Sequence, residues 1–497
     1  MKLSRIALAM AASCGALASA PALAIPASNY TNTGEFTGDT LNIRVSGSTA
    51  QDTGVLGTAV DICNAGTVTR YAISNDFVFY CTPNPAQITV PAGRSKLAIY
   101  KYSVGGSAFG VGPINSNSAT DGSTLTSTGN MLPFLDLTKI ASLCTGTNAV
   151  TTTVTYSATL GTYTNVACGN ATSALTTSVT SYIGLSDVEP PFFSNATANL
   201  TVTPIYALIF GIPVSANIRN ALQTQQGLVV GDDTEANMPS LSSAQLVSAY
   251  TQAGQTWAGI GVTSGLGDDT LHVARRVDSS GTQKSYEILI ARTPNGQGGL
   301  KSCAVGTDVF VAPDSGDTTT GDNAAICGSA TSPLVFAGSG GGDVRNCLNN
   351  YNAAVGPTMG AIGILTTEDK PAAFGNGFRF VKVDGITPDQ AQTAAGKYRH
   401  YVESTMNLRT AGAFATNAAL GYSAVAARLV TDFANPAIIT VVNGADQTFG
   451  KAGLMALLTS QNPRPAPDYT GASEIVPWTK EVSGTTLDNC QAPKAVF

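Results

Sequence analysis

The chain has 497 residues, a formal net charge of −6, and 43% hydrophobic against 12% charged residues. An acidic surface of this kind argues against a nucleic-acid binder, and the length allows two cores. Beyond the N-terminus no apolar run approaches the roughly 20 residues a membrane helix needs, so no membrane insertion is expected.

Residues 1–24 read as a secretory signal peptide. Lys2 and Arg5 form a basic start, Ile6–Ala20 an apolar run, and Ala22-Leu23-Ala24 a small-x-small cleavage site. Its removal lowers Lys+Arg from 26 to 24 against 32 acidic residues, a net charge of −8. Cys14 lies in the apolar run, but Ala11 stands where a lipoprotein signal carries Leu, so a lipid anchor is not expected. The protein is expected in the periplasm or secreted into the medium.

Nine cysteines become eight once Cys14 is cleaved away. An even count in an exported chain reads as disulfides. Pairing between sequence neighbours would join Cys63 to Cys81, Cys144 to Cys168 and Cys303 to Cys327, leaving Cys347 with Cys490. No CxxC or Cys/His cluster suggests a metal, and no cofactor is expected.

In chain order, a first strand at Leu41–Val45 runs into the small-residue turn Ser46-Gly-Ser-Thr-Ala50. A second at Leu97–Tyr102 runs into Ser103-Val-Gly-Gly-Ser107. Residues 115–181 are rich in Ser, Thr, Gly and Asn and read as a β-rich insertion with its own disulfide, a disordered surface loop being the alternative. The main pattern resumes at Tyr182-Ile-Gly-Leu-Ser-Asp187, and Ile205–Val214 is an apolar strand long enough to cross between domains. Ser240–Ala249 reads as a short helix capped by Ser240, followed by Trp257.

Next comes Val273-Ala-Arg-Arg-Val-Asp-Ser-Ser-Gly-Thr282, the end of a buried strand, a tight turn and the start of a helix carrying Tyr286, Leu289 and Ile290 at helical spacing. Taken alone, Ser280-Gly281-Thr282 is an ordinary cap. Such a turn also leaves N–H groups facing outward for an anion, with Arg276 adding a planar donor fork that Asp278 could hold in place. A disulfide-bearing insertion around 303–327 follows, then Gly338–Gly342 before another helix, and a buried strand at Met359–Leu365. Phe378–Val383 and Tyr401–Leu408 alternate like paired strands, and Ala411–Phe433 reads as a long Ala-rich helix. Strands alternating with helices indicate an α/β protein with largely parallel sheets.

These stretches resemble the PstS-type phosphate-binding proteins, the extracytoplasmic substrate-binding proteins of the phosphate ABC transporter. Arg275-Arg-Val-Asp-Ser-Ser-Gly-Thr282 is close to that family's Arg-Arg-x-Asp-x-Ser-Gly-Thr. Gly47-Ser-Thr49, Val104-Gly-Gly-Ser107 and Ile183-Gly-Leu-Ser-Asp187 are similar to its two phosphate turns and its buried aspartate, and Gly360-Ala-Ile-Gly363 to one of its strands. Gly106 stands where the family carries a serine, leaving Ser107 as the nearest hydroxyl. The resemblance covers most of 40–435 and lapses over about 112–180, over 300–335 and in the last fifty residues.

The resemblance implies a type II periplasmic-binding-protein fold: two α/β lobes joined by a two-strand hinge, lobe 1 from 25–207 plus 405–497 and lobe 2 from 208–404. Phosphate would lie between Ser48, Thr49, Ser107 and Asp187 of one lobe and Arg276, Asp278, Ser280, Gly281 and Thr282 of the other. It implies a monomeric, non-enzymatic receptor for inorganic phosphate, with a membrane phosphate ABC permease as partner. The alternatives are a secreted relative with weak phosphatase activity, or an extracellular phosphate scavenger with no transporter, which the long Ser/Thr-rich insertion motivates. Because that insertion matches nothing in the binding core, its deletion is expected to leave the anion site intact.

Overall fold

The computed structural model describes residues 36–37, 39–73, 76–115, 131–157, 161–193, 199–252, 254–291, 318–321, 324–352, 358–371, 377–409, 421–457, 474–482 and 486–495. The proposed signal peptide, Cys14, Cys303 and residues 411–420 of the expected Ala-rich helix lie outside them.

The chain is a mixed α/β protein, and most of its described strands join into one large mixed sheet, with three two-stranded sheets beside it. Its first group of strands comprises β1 (Thr40–Gly47), β2 (Thr69–Ile73), β3 (Asp76–Cys81), β4 (Lys96–Tyr102), the hairpin β5 (Ala149–Ser157) and β6 (Gly161–Cys168), and β7 (Ile183–Ser186). β1 is central and buried at every position. It pairs in parallel with β4 on one side and β7 on the other, which explains its continuous rather than alternating apolar character.

β8 (Leu200–Ser215) is a 16-residue strand shared between this group and a second one. The second group contains β9 (Leu271–Arg276), β10 (Val335–Gly338), β11 (Gly360–Gly363) and β12 (Phe378–Val383). β13 (Tyr401–Arg409) and β14 (Leu454–Leu457) return the chain to the first. β9 is parallel to both β10 and β11. Along β8, Leu200–Ile209 pair antiparallel with β13, and Ile212–Ser215 pair antiparallel with β12. The two alternating stretches expected to pair with each other therefore lie against different parts of β8. Alternation reports one buried face and carries no information about the neighbour.

Helices flank the sheet. α1 (Asp52–Ile62) follows β1 and packs against α5 (Tyr422–Phe433) and α6 (Pro436–Asn443). In the second group lie α2 (Ser243–Thr251), α3 (Gly281–Tyr286) and α4 (Gly341–Asn352). The cap of α2 is Ser242 rather than Ser240: Ser242 and Gln245 form a reciprocal capping box, while Ser240 belongs to a short strand.

Two expectations about the periphery change. The residues between Met131 and Thr180 carry the expected strands and the Cys144–Cys168 disulfide, but they are part of the first group's core. β6 pairs in parallel with β2, the Phe134 ring lies 5.9 Å from that of Tyr102, and Tyr156 Oη donates to the Thr53 carbonyl on α1. Deleting them would remove the buried Leu132, Phe134 and Val166 and uncover the surface they cover around Tyr71 and Tyr102, so the deletion is a stability lesion and not a neutral loop change.

The disulfides are Cys63–Cys81, Cys144–Cys168 and Cys327–Cys347, and Cys490 is also disulfide-bonded. Cys327 thus pairs forwards onto α4, 5.1 Å away between Cα atoms, and neither the Cys303–Cys327 nor the Cys347–Cys490 pairing stands. The short turn at Ala324–Ile326 packs on α4 and brings the two thiols together. Disulfides of this number fit an oxidising, extracytoplasmic compartment.

Candidate anion site

Four chain turns, each following the C-terminal end of a parallel strand, meet at one point. The first leaves β1 at Gly47, whose φ of +111° suits glycine. A Cβ there would stand 2.0 Å from the Leu185 carbonyl oxygen, so no side chain fits. Ser48 then turns the chain: its N–H donates to that same carbonyl at 2.9 Å, and its Oγ accepts from Ala50 N at 3.2 Å. The Ser48 hydroxyl donates to the Asp187 carboxylate, which emerges from the end of β7. Thr49, the next residue, faces a cavity described below.

The second turn follows β4. Gly105 and Gly106 both take positive φ and swing Ser107, fully buried, against Asp187, whose backbone N–H donates to Ser107 Oγ at 3.0 Å. The third is Asp187 itself, 2% exposed. Burial pushes its carboxyl above the usual range, while the Ser48 hydroxyl bond and the Arg276 charge oppose that shift.

The fourth turn, after β9, comes from the second strand group. Ser280 caps α3 by accepting from Gln283 N, and the Thr282 hydroxyl donates to the other Asp187 oxygen at 3.3 Å. The Ala108 N–H donates to the Ser279 carbonyl at 3.0 Å, a backbone bond joining the two groups. Gly281 is where they approach most closely: a Cβ on it would stand 2.2 Å from Ser107 Oγ and 2.7 Å from Asp187 Cβ.

Arg276 is 3% exposed, and its guanidinium donates to the carbonyls of Gly338 (3.2 Å from Nε) and Ser339 (2.6 Å from Nη2). Burial pulls its pKa down, and the nearby Asp187 charge counters that. Ser48, Thr49, Ser107, Asp187, Arg276, Ser280, Gly281 and Thr282 are thus gathered around one point. Asp278 is not. Its side chain is 56% exposed and pairs with Arg275 at 3.0 Å, so carbonyls of the turn after β10 orient the Arg276 fork in its place.

Sequence reasoning missed Lys101, the most buried cation beside the site. Its ammonium donates to the carbonyls of Gly47 (2.8 Å) and Ser48 (3.0 Å) and to Ser103 Oγ (2.7 Å), and it pairs with Asp52 at 3.0 Å. Those bonds tie down the first turn's carbonyls from the side of β4. A lysine inside the apolar run Leu97–Tyr102, two residues before Ser103, was the available signal. Lys101→Met leaves Asp52 without its partner and releases both carbonyls. We expect it to cost about 3–5 kcal/mol of stability, the usual penalty for breaking a buried pair, measured by denaturant unfolding.

A cavity of about 390 Å³ adjoins the gathered residues, sharing Thr49, Arg276 and Thr282 with them and extending to Arg345, Glu368 and Asp369. The two histidines lie elsewhere: His272 hydrogen-bonds the Pro333 carbonyl at 2.8 Å, and His400 stacks near Tyr398. The site therefore offers hydroxyl, guanidinium and backbone donors around one buried carboxylate. That arrangement suits binding an oxyanion that itself carries a proton.

No family model matches the chain, and no curated protein matches it in sequence. Among solved structures it is similar to a protein from Clostridium perfringens described as a phosphate ABC transporter substrate-binding protein with bound phosphate, at 11% identity and a TM-score of 0.39, covering 80% of this chain and 96% of that one. It is also similar to an ABC-type phosphate transport receptor from Vibrio cholerae, at 16% identity and a TM-score of 0.29 over 50% of this chain and 73% of that one. PstS from Borrelia burgdorferi aligns at 11% identity and a TM-score of 0.27, over 53% and 78% respectively. These likenesses are loose, and the functional reading that follows rests on the geometry of the site.

Proposed function

We propose that the protein binds phosphate between two lobes built on the two strand groups, as an extracytoplasmic receptor for phosphate uptake through a membrane permease. The carrying observation is Asp187: a buried carboxylate ringed by the Ser48 and Thr282 hydroxyls, with Arg276 buried beside it. A carboxylate next to an anion is repulsive unless the anion donates a hydrogen bond to it. Hydrogen phosphate and dihydrogen phosphate carry such a proton; sulfate at neutral pH does not.

The Ser48 and Thr282 hydroxyls, which donate to Asp187, would rotate to give their hydrogens to ligand oxygens, and Arg276 supplies the charge that offsets an anion's desolvation. The lobes take their boundaries from the division 25–207 plus 405–497 and 208–404, and β8 and β13 would be the strands that bend between them. A ligand gripped from both sides would favour the closed arrangement.

The test is calorimetry on phosphate-stripped protein with phosphate and sulfate. Phosphate is expected to bind and sulfate to give no heat. Arg276→Ala removes a charged contact and should weaken phosphate by about ten- to a hundredfold. Equal binding of both anions by the wild-type protein would defeat the phosphate assignment, and binding of neither would defeat the receptor reading.

A further inference from the structure

The cavity beside Asp187 is too large for the ligand just proposed. At about 390 Å³ it falls within the roughly 300–1,000 Å³ of small-molecule pockets, far more room than one phosphate ion fills. Its position is not incidental. It opens at the C-terminal ends of the parallel strands β9, β10 and β11, where Arg276, Gly340 and Leu365 line it, and this edge of an open α/β sheet is where ligands bind. Thr49, Ala50 and Asp52 close it from the first strand group.

The far wall is rich in acceptors, and most of them already have a donor. Asp369 is paired with Arg345, Asp52 with Lys101 at 3.0 Å, and Asp343 accepts from Gly340 N at 2.7 Å. Glu368 differs. Among the described residues its hydrogen bond is a long 3.4 Å contact from the Thr366 hydroxyl, and it lines the cavity. Burial and the adjacent Asp369 charge hold its carboxyl well above the usual range, a shift that a cationic donor from a ligand would oppose. An orthophosphate at Asp187 would leave this wall facing water.

We propose, resting on the phosphate reading above, that the site takes a phosphate monoester or phosphonate whose short substituent carries hydroxyl or ammonium donors. The phosphoryl group sits by Asp187 and Arg276, and the substituent runs past Thr49 and Thr282 to Glu368. Thr282, whose hydroxyl donates to Asp187, and Arg276 also line the cavity, so a substituent on a phosphoryl group held there is directed into it. A phosphoryl group with one esterified oxygen still has an ionisable hydroxyl for Asp187. The cavity walls then read the substituent by its donors.

The experiment is calorimetry on phosphate-stripped wild-type protein with inorganic phosphate, methyl phosphate, glycerol phosphate and phosphoethanolamine. Methyl phosphate keeps the ester and lacks the donors. Glycerol phosphate or phosphoethanolamine is expected to bind at least about tenfold tighter than methyl phosphate, as one added charge-assisted hydrogen bond requires. Glu368→Gln should remove that advantage while leaving inorganic phosphate within about threefold of the wild-type value. The wild-type ranking decides the matter even if Glu368→Gln fails to fold. Inorganic phosphate binding with no preference for either donor-bearing ester overturns this proposal and leaves the phosphate reading standing. Failure of all four ligands overturns both.

Discussion

Gly281→Ala is expected to reduce phosphate binding by about ten- to a hundredfold while the protein stays folded. The added methyl would lie 2.2 Å from Ser107 Oγ and 2.7 Å from Asp187 Cβ, inside any tolerable contact. Ser107 is fully buried and Asp187 nearly so, and both are short side chains with no room to swing away. The α3 turn must then move off the β4 and β7 turns, at an overpacking cost of about 1–3 kcal/mol. On the lobe reading, that cost falls on the closed state, where the ligand is held, and not on each lobe's own core. Gly342→Ala is the control, since its methyl would meet only the Arg345 guanidinium at 3.5 Å, an ordinary contact. Calorimetry with phosphate, paired with thermal unfolding of each variant, separates the two outcomes. Wild-type affinity in Gly281→Ala would mean that the close approach of the two strand groups is irrelevant to binding.

Much of the site was legible because its signals are local. Gly47, the Gly105-Gly106 pair and the Ser280 cap each mark a backbone turn that glycine or a capping hydroxyl alone favours, and a turn after an apolar strand can be read within ten residues. The same locality explains the failures. Asp278 sits two residues from Arg276 and looked like its partner, yet Arg276 is oriented by Gly338 and Ser339, more than sixty residues away. Arg345, Glu368 and Asp369 belong to one cavity with Arg276 only because β9, β10 and β11 are adjacent in the sheet. Nothing local announces that adjacency.

Strand identity was legible and strand partnership was not, for a related reason. The apolar character of β8 marks it as buried at Ile205–Val214, but its division between β13 and β12 depends on partners at Tyr401–Arg409 and Phe378–Val381, far along the chain. The disulfides followed the same rule. Cys63–Cys81 and Cys144–Cys168 are local and were correctly paired by proximity. Cys327–Cys347 is as local as either, but the competing neighbour Cys303 made proximity ambiguous, and the packing of α4 decided it. Composition misled once, when a Ser/Thr-rich stretch was taken as separable. Those residues form an amphipathic hairpin whose inner face, at Val166, completes the first core.

Asp187→Asn tests the chemistry of the ligand more sharply than any other change. In the wild-type protein the carboxylate accepts from the Ser48 and Thr282 hydroxyls, and on the phosphate reading the ligand's own proton takes their place as they turn to the ligand oxygens. A site built around such a buried partner can discriminate by about 10⁴–10⁵-fold against an analogue that leaves it unpaired, so sulfate should be rejected to about that degree. Asparagine keeps the shape, removes the charge and replaces one acceptor oxygen with an N–H donor. Phosphate then loses its acceptor, while sulfate gains a donor and escapes the repulsion. The phosphate-to-sulfate affinity ratio is expected to fall by at least about a hundredfold, even if both anions bind more weakly in absolute terms. Arg276→Ala should behave differently, weakening both anions together and leaving the ratio near its wild-type value, because a guanidinium reads charge and not protonation. Competition calorimetry on the two variants gives both ratios. If Asp187→Asn leaves the ratio unmoved while Arg276→Ala abolishes binding, the anion site survives but Asp187 is only part of its scaffold, and the phosphate assignment loses its carrying observation.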